Sequence, residues 1–391
     1  MRRNAQLFIC LMIAIAMLAG IWGCAAPVEE TTPPAPAEES APATTREDAS
    51  EEEEAAPATR EIVDRAGRTV TIPANPQRIA TMQGPSYEML FALGGKDQIG
   101  IVRDDHSTAY PVAQLTNPDI VNYPVIHDVG PRTPVNVEEF LDQEVDLVIY
   151  WNIEQELVKF ENAGIPVIVI MGGSSEPPNS LEEALQDTRD QFSFVADVLG
   201  GDSPERYARW EEYLDDTVEF IRSRTADIPE DERPVVYWGN SWGTNILATW
   251  TITTSKYVLE LCGGRLVGPE GGGQFPEITK EQLLAWEPEV IIVDNHGGNP
   301  EEVIEDLQTS PDWALMPAVR DERLYRIPAG VFFVDKGTSH ALYYYWLAKQ
   351  LHPHLFEDVD LIEKFKYYYK TFYDYDLSTE ETEKILAGWV T

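Results

Sequence analysis

Cysteine and basic side chains are scarce in this sequence. Three of the 391 residues are cysteines, and Cys10 and Cys24 lie in or beside an apolar N-terminal segment. Cys262 is then alone in the part expected to fold, which excludes a disulfide framework and a cysteine-based zinc site. The 29 Lys and Arg are outnumbered by 67 Asp and Glu, giving a formal net charge of -38. Nucleic-acid phosphates require clustered cations, so we expect no nucleic-acid partner.

Motifs of common catalytic sites are also missing. The chain contains no Gly-x-Ser-x-Gly elbow, no His-Glu-x-x-His and no phosphate-binding loop, and Asn240-Ser241 has no evident base partner. No carboxylate-rich set with several histidines argues for a free zinc or manganese ion. We therefore predict no enzyme, no resident metal and no cofactor. The acidity is typical of solubility in a saline environment, with a basic substrate as the alternative.

No apolar run is long enough for a comfortable membrane span, which needs ~20 residues. Met1-Arg2-Arg3 precedes an apolar stretch from Leu7 to Ile21 that ends at Gly23-Cys24. Residues 1–24 resemble a lipoprotein signal peptide in which Cys24 becomes the lipidated N-terminus, although Trp22 departs from the usual small residue. An uncleaved signal anchor is the alternative. Either reading predicts an extracytoplasmic domain at the outer face of the cytoplasmic membrane.

Residues 25–60 are dominated by Pro, Ala, Thr and Glu, and they predict a disordered acidic tether. A hairpin with its turn at Ala66-Gly67 follows. Short helices and continuous apolar strands then alternate, which is the pattern of parallel sheets covered by helices. Ser86 and Ser203 are the predicted N-caps of two helices. The predicted boundaries are an N-terminal α/β lobe at 61–200, an interlobe helix at 201–228, a C-terminal α/β lobe at 229–352 and a helical tail at 353–391.

One phrase occurs twice in the chain, as PVNVEEFLDQEVDLVIYW at 134–151 and EITKEQLLAWEPEVIIVDN at 277–295. The matched positions are Glu138 with Glu281, Phe140-Leu141 with Leu283-Leu284, Glu144 with Glu287, Asp146 with Glu289, and Leu147-Val148-Ile149 with Val290-Ile291-Ile292. The repeat predicts a comparable helix–strand unit in each of two α/β lobes. Sheets of this kind bind ligands outside the carboxyl ends of their strands, so facing ends create a cleft.

Five segments in order resemble the substrate-binding proteins of ABC importers for iron complexes, haem and cobalamin. They are RIATMQGPSYEMLFALGGKDQIGIV, the two Glu-bearing units, YVLELCGG and SPDWALMPAVRDERLYRIP. The similarity runs from about Ile62 to the end of the chain. The resemblance implies two α/β lobes with mainly parallel sheets, linked by a single long helix from Pro204 to Arg224, with a ligand cleft between the lobes.

The resemblance also implies partners. In that family one glutamate on each lobe docks onto arginines of the membrane permease, and the matching residues here are Glu138 and Glu281. The alternative is that both are ordinary acids at helix starts, where the helix dipole favours a carboxylate. The implied partners are the ABC permease with its ATPase, and we expect the binding protein to be a monomer.

Candidate ligand-binding residues follow the predicted strands, and many of them are aromatic. They are Ser86, Arg103, His106, Arg132, Trp151, Tyr237, Trp238, Trp242, Trp250, His296 and Phe333. Aromatic loops suit a large or flat ligand better than a bare ion. Arg103 and Arg132 could pair with an anionic metal complex, or they could be surface ion-pair partners. His106 and His296 could ligate a metal, one from each lobe, or could be structural.

The predicted cargo is a ferric complex of the siderophore type. Haem or a corrinoid is the alternative within the family. If the cargo is haem, His106 or His296 could ligate it together with Tyr237. Two other classes stay open at this point. One is an extracytoplasmic enzyme, and the other is a surface adhesion protein, which the tether alone suggests.

Overall fold

The computed structural model describes residues 58–130, 133–172, 178–239, 246–247, 253–269, 276–294, 299–332, 334 and 337–389. All of these belong to one unit, Ala56–Thr391. The predicted signal peptide, the tether up to residue 57 and the predicted lipid-anchor residue Cys24 lie outside the described residues. Across the described ranges, no helix has the length and apolarity needed to cross a membrane.

The first lobe is built on a five-stranded parallel sheet with the strand order β5-β4-β3-β6-β7. An antiparallel hairpin of β1 and β2 precedes it, with Gly67 at φ 79° in the predicted turn. The strands are β1 Thr59–Val63, β2 Thr69–Pro73, β3 Ile79–Thr81, β4 Ile99–Arg103, β5 Val125–Ile126, β6 Leu147–Tyr150 and β7 Val167–Val169. The helices are α1 Gly84–Ala92, α2 Asp104–Thr108, α3 Pro111–Thr116, α4 Val137–Asp142, α5 Glu154–Asn162 and α6 Leu181–Leu199.

A single long helix, α7 Ser203–Thr225, leads from the first lobe to the second. At 23 residues it is about 35 Å long. Its buried stripe of Trp210, Leu214, Val218 and Ile221 follows the helical period. One hydrophobic cluster contains this stripe together with buried residues of both sheets. The two lobes therefore share a continuous core along the connecting helix.

The second lobe contains a four-stranded parallel sheet with the order β11-β10-β8-β9. Its strands are β8 Val235–Gly239, β9 Arg265–Val267, β10 Val290–Val293 and β11 Leu324–Arg326. Its helices and those of the tail are α8 Thr253–Leu261, α9 Lys280–Trp286, α10 Pro300–Thr309, α11 Pro317–Arg320, α12 His340–Leu351, α13 Leu361–Phe372 and α14 Thr379–Leu386. The predicted fold class, two α/β lobes linked by one long helix, is confirmed.

Both predicted serine N-caps are wrong. Helix α1 begins at Gly84 after Gln83, so Ser86 lies inside the helix and its hydroxyl donates to Gln83 Oε1 at 2.9 Å. Helix α7 begins at Ser203 itself, and that hydroxyl donates to the carbonyl of Leu93 at 2.8 Å. In each case the serine hydroxyl donates a hydrogen bond to another acceptor. It therefore does not accept a hydrogen bond from a backbone N–H in the first turn of its helix, as an N-cap would. The positions of the two helices were predicted correctly.

Candidate ligand cleft

Each sheet has a topological switch point, where the connections from two neighbouring strands run in opposite directions across the sheet. In the first lobe β3 lies between β4 and β6, and in the second lobe β8 lies between β9 and β10. Parallel sheets bind ligands at the carboxyl edge of such points. Gln83 lies two residues after β3, and Trp151 and Asp294 directly follow β6 and β10. The candidate site therefore lies along these edges.

His106 is the predicted site residue whose surroundings are most informative. It lies in α2, directly after β4, and only 2% of the residue is exposed. Its Nδ1 is buried without a hydrogen-bond partner, and its Nε2 is 3.9 Å from Asp105 Oδ1, beyond hydrogen-bond distance. Burial lowers the pKa of His106 to about 3, so the imidazole is neutral near pH 7. A neutral imidazole can ligate a metal or hydrogen-bond a ligand.

An aromatic cluster around His106 joins the two lobes. Phe332, in the segment after β11, packs its ring 4.6 Å from that of His106 and 4.7 Å from that of Tyr110. It also packs edge-on against Tyr87 of α1, at 5.2 Å. Sequence reasoning selected the neighbouring Phe333, which lies outside the described residues. The paired phenylalanines in the sequence signalled an aromatic contact, and Phe332 forms one with the first lobe.

Arg103 lies at the carboxyl end of β4 and is already paired. Its Nε donates to Asp105 Oδ1 at 2.7 Å, and its second terminal nitrogen contacts Asp105 Oδ2. Burial opposes ionisation of the carboxyl, yet the pairing with Arg103 lowers the pKa of Asp105. Two opposite charges thus neutralise each other beside His106. Arg103 can contact an anion only if it shares its guanidinium with this carboxylate.

The start of α1 lies at the same edge and carries no competing acid. Gln83 forms no side-chain cap, and the first turn of α1 contains no acidic residue. By contrast, α4, α5 and α9 each have glutamate in the first turn. A helix N-terminus carries partial positive charge and favours anions. In a chain this acidic, the neutral first turn of α1 leaves that charge available to a ligand.

Four other predicted site residues differ in their surroundings. Ser86 is buried and bonded to Gln83, whereas Trp151 is partly exposed beside Tyr150 at a ring distance of 5.0 Å. Tyr237 and Trp238 are consecutive buried residues of β8 that belong to different hydrophobic clusters. The hydroxyl of Tyr237 donates to the carbonyl of Ile246 at 2.8 Å, and Trp238 packs against Tyr343. These contacts of the two aromatics lie within the second lobe, and the role of both residues in ligand binding stays a prediction.

The remaining predicted ligand contacts, Arg132, Trp242, Trp250, His296 and Phe333, lie outside the described residues. The pairing of His106 with His296 or Tyr237 therefore stays a prediction. Within the described part of the chain, no group of three or more His, Cys, Asp or Glu side chains could hold a metal ion.

Glu88 is a buried residue that sequence reasoning missed. Its Oε1 accepts hydrogen bonds from the hydroxyls of Thr338, Ser339 and Tyr373 at 2.8, 2.7 and 2.6 Å. The backbone amide of Ser339 also donates to it, at 3.2 Å, and burial raises the pKa of the carboxyl. The available signal was a single acid in the apolar run YEMLFA. Glu88 ties α1 of the first lobe to the segment before α12.

Glu138 and Glu281 occupy matching positions on the surface. Each lies in the first turn of its helix, α4 or α9, and each side chain is exposed. Both are therefore accessible to a macromolecular partner, one from each lobe.

Known proteins of similar sequence and fold provide context for this geometry. Residues 79–331 match the family described as periplasmic binding protein. The molybdate-binding protein MolA of Haemophilus influenzae is 25% identical over 337 residues, covering 81% of this chain and 91% of that protein. The solved structure of MolA bound to molybdate has a TM-score of 0.71 at 21% identity, covering 82% of this chain and 99% of that one.

Two further proteins extend the comparison. The vitamin B12-binding protein of Vibrio campbellii is 23% identical over 225 residues, covering 56% of this chain and 71% of that protein. A periplasmic solute-binding protein from Veillonella parvula has a TM-score of 0.70 at 23% identity, covering 84% of this chain and 97% of that one. All of these are solute-binding proteins, which confirms the prediction of a binding protein over an enzyme.

Proposed function

We propose, since the chain belongs to the periplasmic binding protein family, that it captures an anionic metal complex and delivers it to the permease of an ABC importer. The first candidate cargo is the ferric siderophore-type complex predicted from sequence. A metal oxyanion is the second, favoured by similarity to a molybdate-binding protein over 81% of this chain. Haem and corrinoids are the alternatives, and the similarity to a vitamin B12-binding protein supports the latter.

The observation that carries this proposal is the neutral, buried imidazole of His106. Its Nδ1 lacks a hydrogen-bond partner, although buried polar atoms are normally satisfied. Unsatisfied buried groups cost free energy, so a bound ligand is one reason for such a group to persist. An imidazole nitrogen suits a transition-metal centre with an open coordination position. It equally suits an oxyanion, to which the imidazole N–H donates.

The preference for an anion rests on the surroundings of His106. The start of α1 offers backbone amides without a competing acid. Arg103 contributes a guanidinium that Asp105 orients. A cationic ligand would gain nothing from the helix start and would lie close to Arg103. Asp104 and Asp105 lie in the first turn of α2 beside His106, so the start of α1 is the part of the site without a competing acid.

The test is a tryptophan-fluorescence titration of the full chain with ferric hydroxamate and catecholate complexes, molybdate, haem, cobalamin and free divalent metals. Trp151 is partly exposed at the cleft edge and should report binding. We expect saturable quenching by an anionic metal complex. His106→Ala should weaken that binding by roughly 10- to 150-fold, the value of one hydrogen bond or ligand contact to a charged group.

His127→Ala is the matched control for the titration. His127 is also in the first lobe, but its side chain is 64% exposed and contacts Asp104 on the surface. Its removal should leave affinity unchanged. Equal losses in both variants, or tight binding of free cations alone, would contradict the proposed cargo class.

We further propose that Glu138 and Glu281 dock onto basic residues of the permease, as the family resemblance implies. Both are exposed first-turn acids in separate lobes, so they can engage a two-fold arrangement of permease subunits. Exposed carboxylates that lack a cation at their own surface are available for a partner's arginines. Uptake assays in cells should show loss of transport in the double variant Glu138→Lys and Glu281→Lys, with ligand affinity retained.

A matched pair of acids controls for the change in charge. Glu154 in α5 and Glu302 in α10 are also exposed first-turn glutamates, one in each lobe. Glu154→Lys with Glu302→Lys alters the net charge equally and should preserve uptake. Transport that survives reversal at Glu138 and Glu281 would remove the docking role.

The family name places the protein outside the cytoplasm. We propose that Cys24 carries the lipid that holds it at the membrane, with the acidic tether as a spacer. Cys24→Ser should shift the protein from the membrane fraction to the soluble fraction after cell fractionation. Retention of this variant on the membrane would favour the uncleaved signal anchor.

A further inference from the structure

Phe332 brings a side chain of the second lobe into the first lobe's half of the cleft. Only 3% of the residue is exposed. Its ring lies among Tyr87 of α1, His106 of α2 and Tyr110 just beyond α2, with centroid distances of 5.2, 4.6 and 4.7 Å. All three partners come from the first lobe. The contact therefore spans the edges where ligand binding is expected.

Gly84 makes room for this ring. A Cβ atom placed on Gly84 would lie 2.8 Å from Cγ of Phe332 and 3.1 Å from its Cβ, closer than carbon atoms pack. Gly84 begins α1, and the first position of a helix accepts most residues. Helix formation therefore does not require glycine here. The close approach of Phe332 does.

The same ring covers the unsatisfied imidazole. His106 meets Phe332 edge to face, and its Nδ1 has no accessible surface. Opening of the aromatic cluster would expose the His106 ring to an incoming ligand. Phe332 comes from the opposite lobe, so it can leave without disrupting the strand and helix that hold His106.

The chain beyond Phe332 is anchored independently of the ring. Thr338 and Ser339 donate to Glu88, which lies one helical turn after Gly84 on α1. Helix α1 therefore contacts both ends of the stretch from Phe332 to Ser339. Movement of the Phe332 side chain does not require the Glu88 contacts to break.

We infer that Phe332 is a removable wedge, which occupies the space beside His106 and restricts the cleft to compact metal complexes. The inference rests on the proposed function, because it narrows the cargo class of the same site. A tetrahedral oxyanion is about the size of one displaced ring, whereas a ferric chelate is several times larger. A macrocycle would need the lobes to separate further around the shared core.

The first test does not depend on any ligand. Diethyl pyrocarbonate modifies accessible imidazoles, and peptide mass mapping locates the modified residues in the full-length protein. Exposed His127 and buried His352 are internal positive and negative controls. We expect His106 to be inert in the wild type and reactive in Phe332→Ala. Gly84→Ala should give the same result by displacing the ring.

Two more variants keep this test decisive. Phe332→Leu leaves an apolar side chain in place and should expose His106 less than Phe332→Ala. Phe365→Leu removes a buried ring from α13, away from the cleft, and should leave His106 inert. Reactive His106 in the wild type, or inert His106 in both Phe332→Ala and Gly84→Ala, would overturn the wedge.

The second test addresses cargo size, with molybdate as the compact probe and cyanocobalamin as the macrocycle. Phe332→Ala should tighten cyanocobalamin binding about tenfold relative to molybdate binding, or ~1.4 kcal/mol. Equal preferences in variant and wild type would overturn the size restriction. If no probe binds any variant, the proposed function fails, whereas the modification of His106 still decides the wedge.

Discussion

The two copies of the repeated phrase build the same local structure in different lobes. The first repeat (residues 134–151) contains α4 and β6, and the second repeat (residues 277–295) contains α9 and β10. Phe140 and Leu283 are fully buried at equivalent positions. Asp146 and Glu289 each accept a backbone N–H near the start of the neighbouring strand. The residues at matching positions of the two repeats therefore pack the core and bind backbone amides of the neighbouring strand.

The repeats differ at their ends. Helix α9 begins with a capping box of Thr279 and Gln282, whereas Asn136 before α4 forms no side-chain cap. Strand β6 leads to the partly exposed Trp151, and β10 leads to the buried Asp294. The framework was duplicated, but the residues beyond the strands were not. Ligand specificity should therefore depend on residues at which the lobes differ.

The largest expected losses of stability come from truncating the buried side chain at the matching position of each repeat. Phe140→Ala should cost ~3–5 kcal/mol, as it removes a ring packed 4.9 Å from Phe160. Leu283→Ala should cost less, ~2–4 kcal/mol. Urea unfolding measures both. Leu141→Ala is the control, because Leu141 is 49% exposed and should change stability by less than ~0.5 kcal/mol. A greater loss at Leu283 than at Phe140 would reverse this difference between the repeats.

The next largest expected effects on stability come from removing Asp146 or Glu289, whose carboxylates bind backbone amides near the strand starts. Asp146 accepts the amides of Gln77 and Arg78 at 2.6 and 3.0 Å, whereas Glu289 accepts that of Val235 at 2.9 Å. Asp146→Ala should cost ~1.5–3 kcal/mol and Glu289→Ala about half of that, since hydrogen bonds to charged groups dominate both. Equal losses of unfolding free energy in Asp146→Ala and Glu289→Ala would contradict this prediction. Glu289→Gln retains an acceptor and should be nearly neutral.

The repeats also show what the sequence could predict. The long helix predicted from Pro204 to Arg224 is observed as α7, Ser203–Thr225, and the duplicated phrase identified a helix–strand unit in each lobe. Strand β5 was missed because it is only two residues long, and the three-residue strand β9 was also missed. The contact between Glu88 and Thr338 joins residues 250 positions apart. Convergence over such a separation depends on tertiary packing, which local patterns do not encode.

The buried carboxyl of Glu88 should make the free energy of unfolding depend on pH. Burial raises its pKa in the folded state above the value of 4.5 expected when unfolded. The folded state therefore binds this proton more tightly, so the contribution to stability is complete below pH 4.5 and is lost as pH rises through the raised pKa. Urea unfolding across this window should show a shallower fall with pH for Glu88→Gln than for wild type. Glu138→Gln, at an exposed site, should match wild type.

The smallest expected effect tests whether the repeats share backbone strain. Glu144 and Glu287 follow their helices in left-handed conformations, with φ of 53° and 47°. Glycine avoids the Cβ penalty of this region but loses more entropy on folding, so each Glu→Gly change should stabilise by up to about 1 kcal/mol. Glu305→Gly, within the exposed face of α10, should instead cost ~1 kcal/mol. A gain at one repeat alone would show that the equivalent turns are held by different forces, despite their matching sequence and dihedral angles.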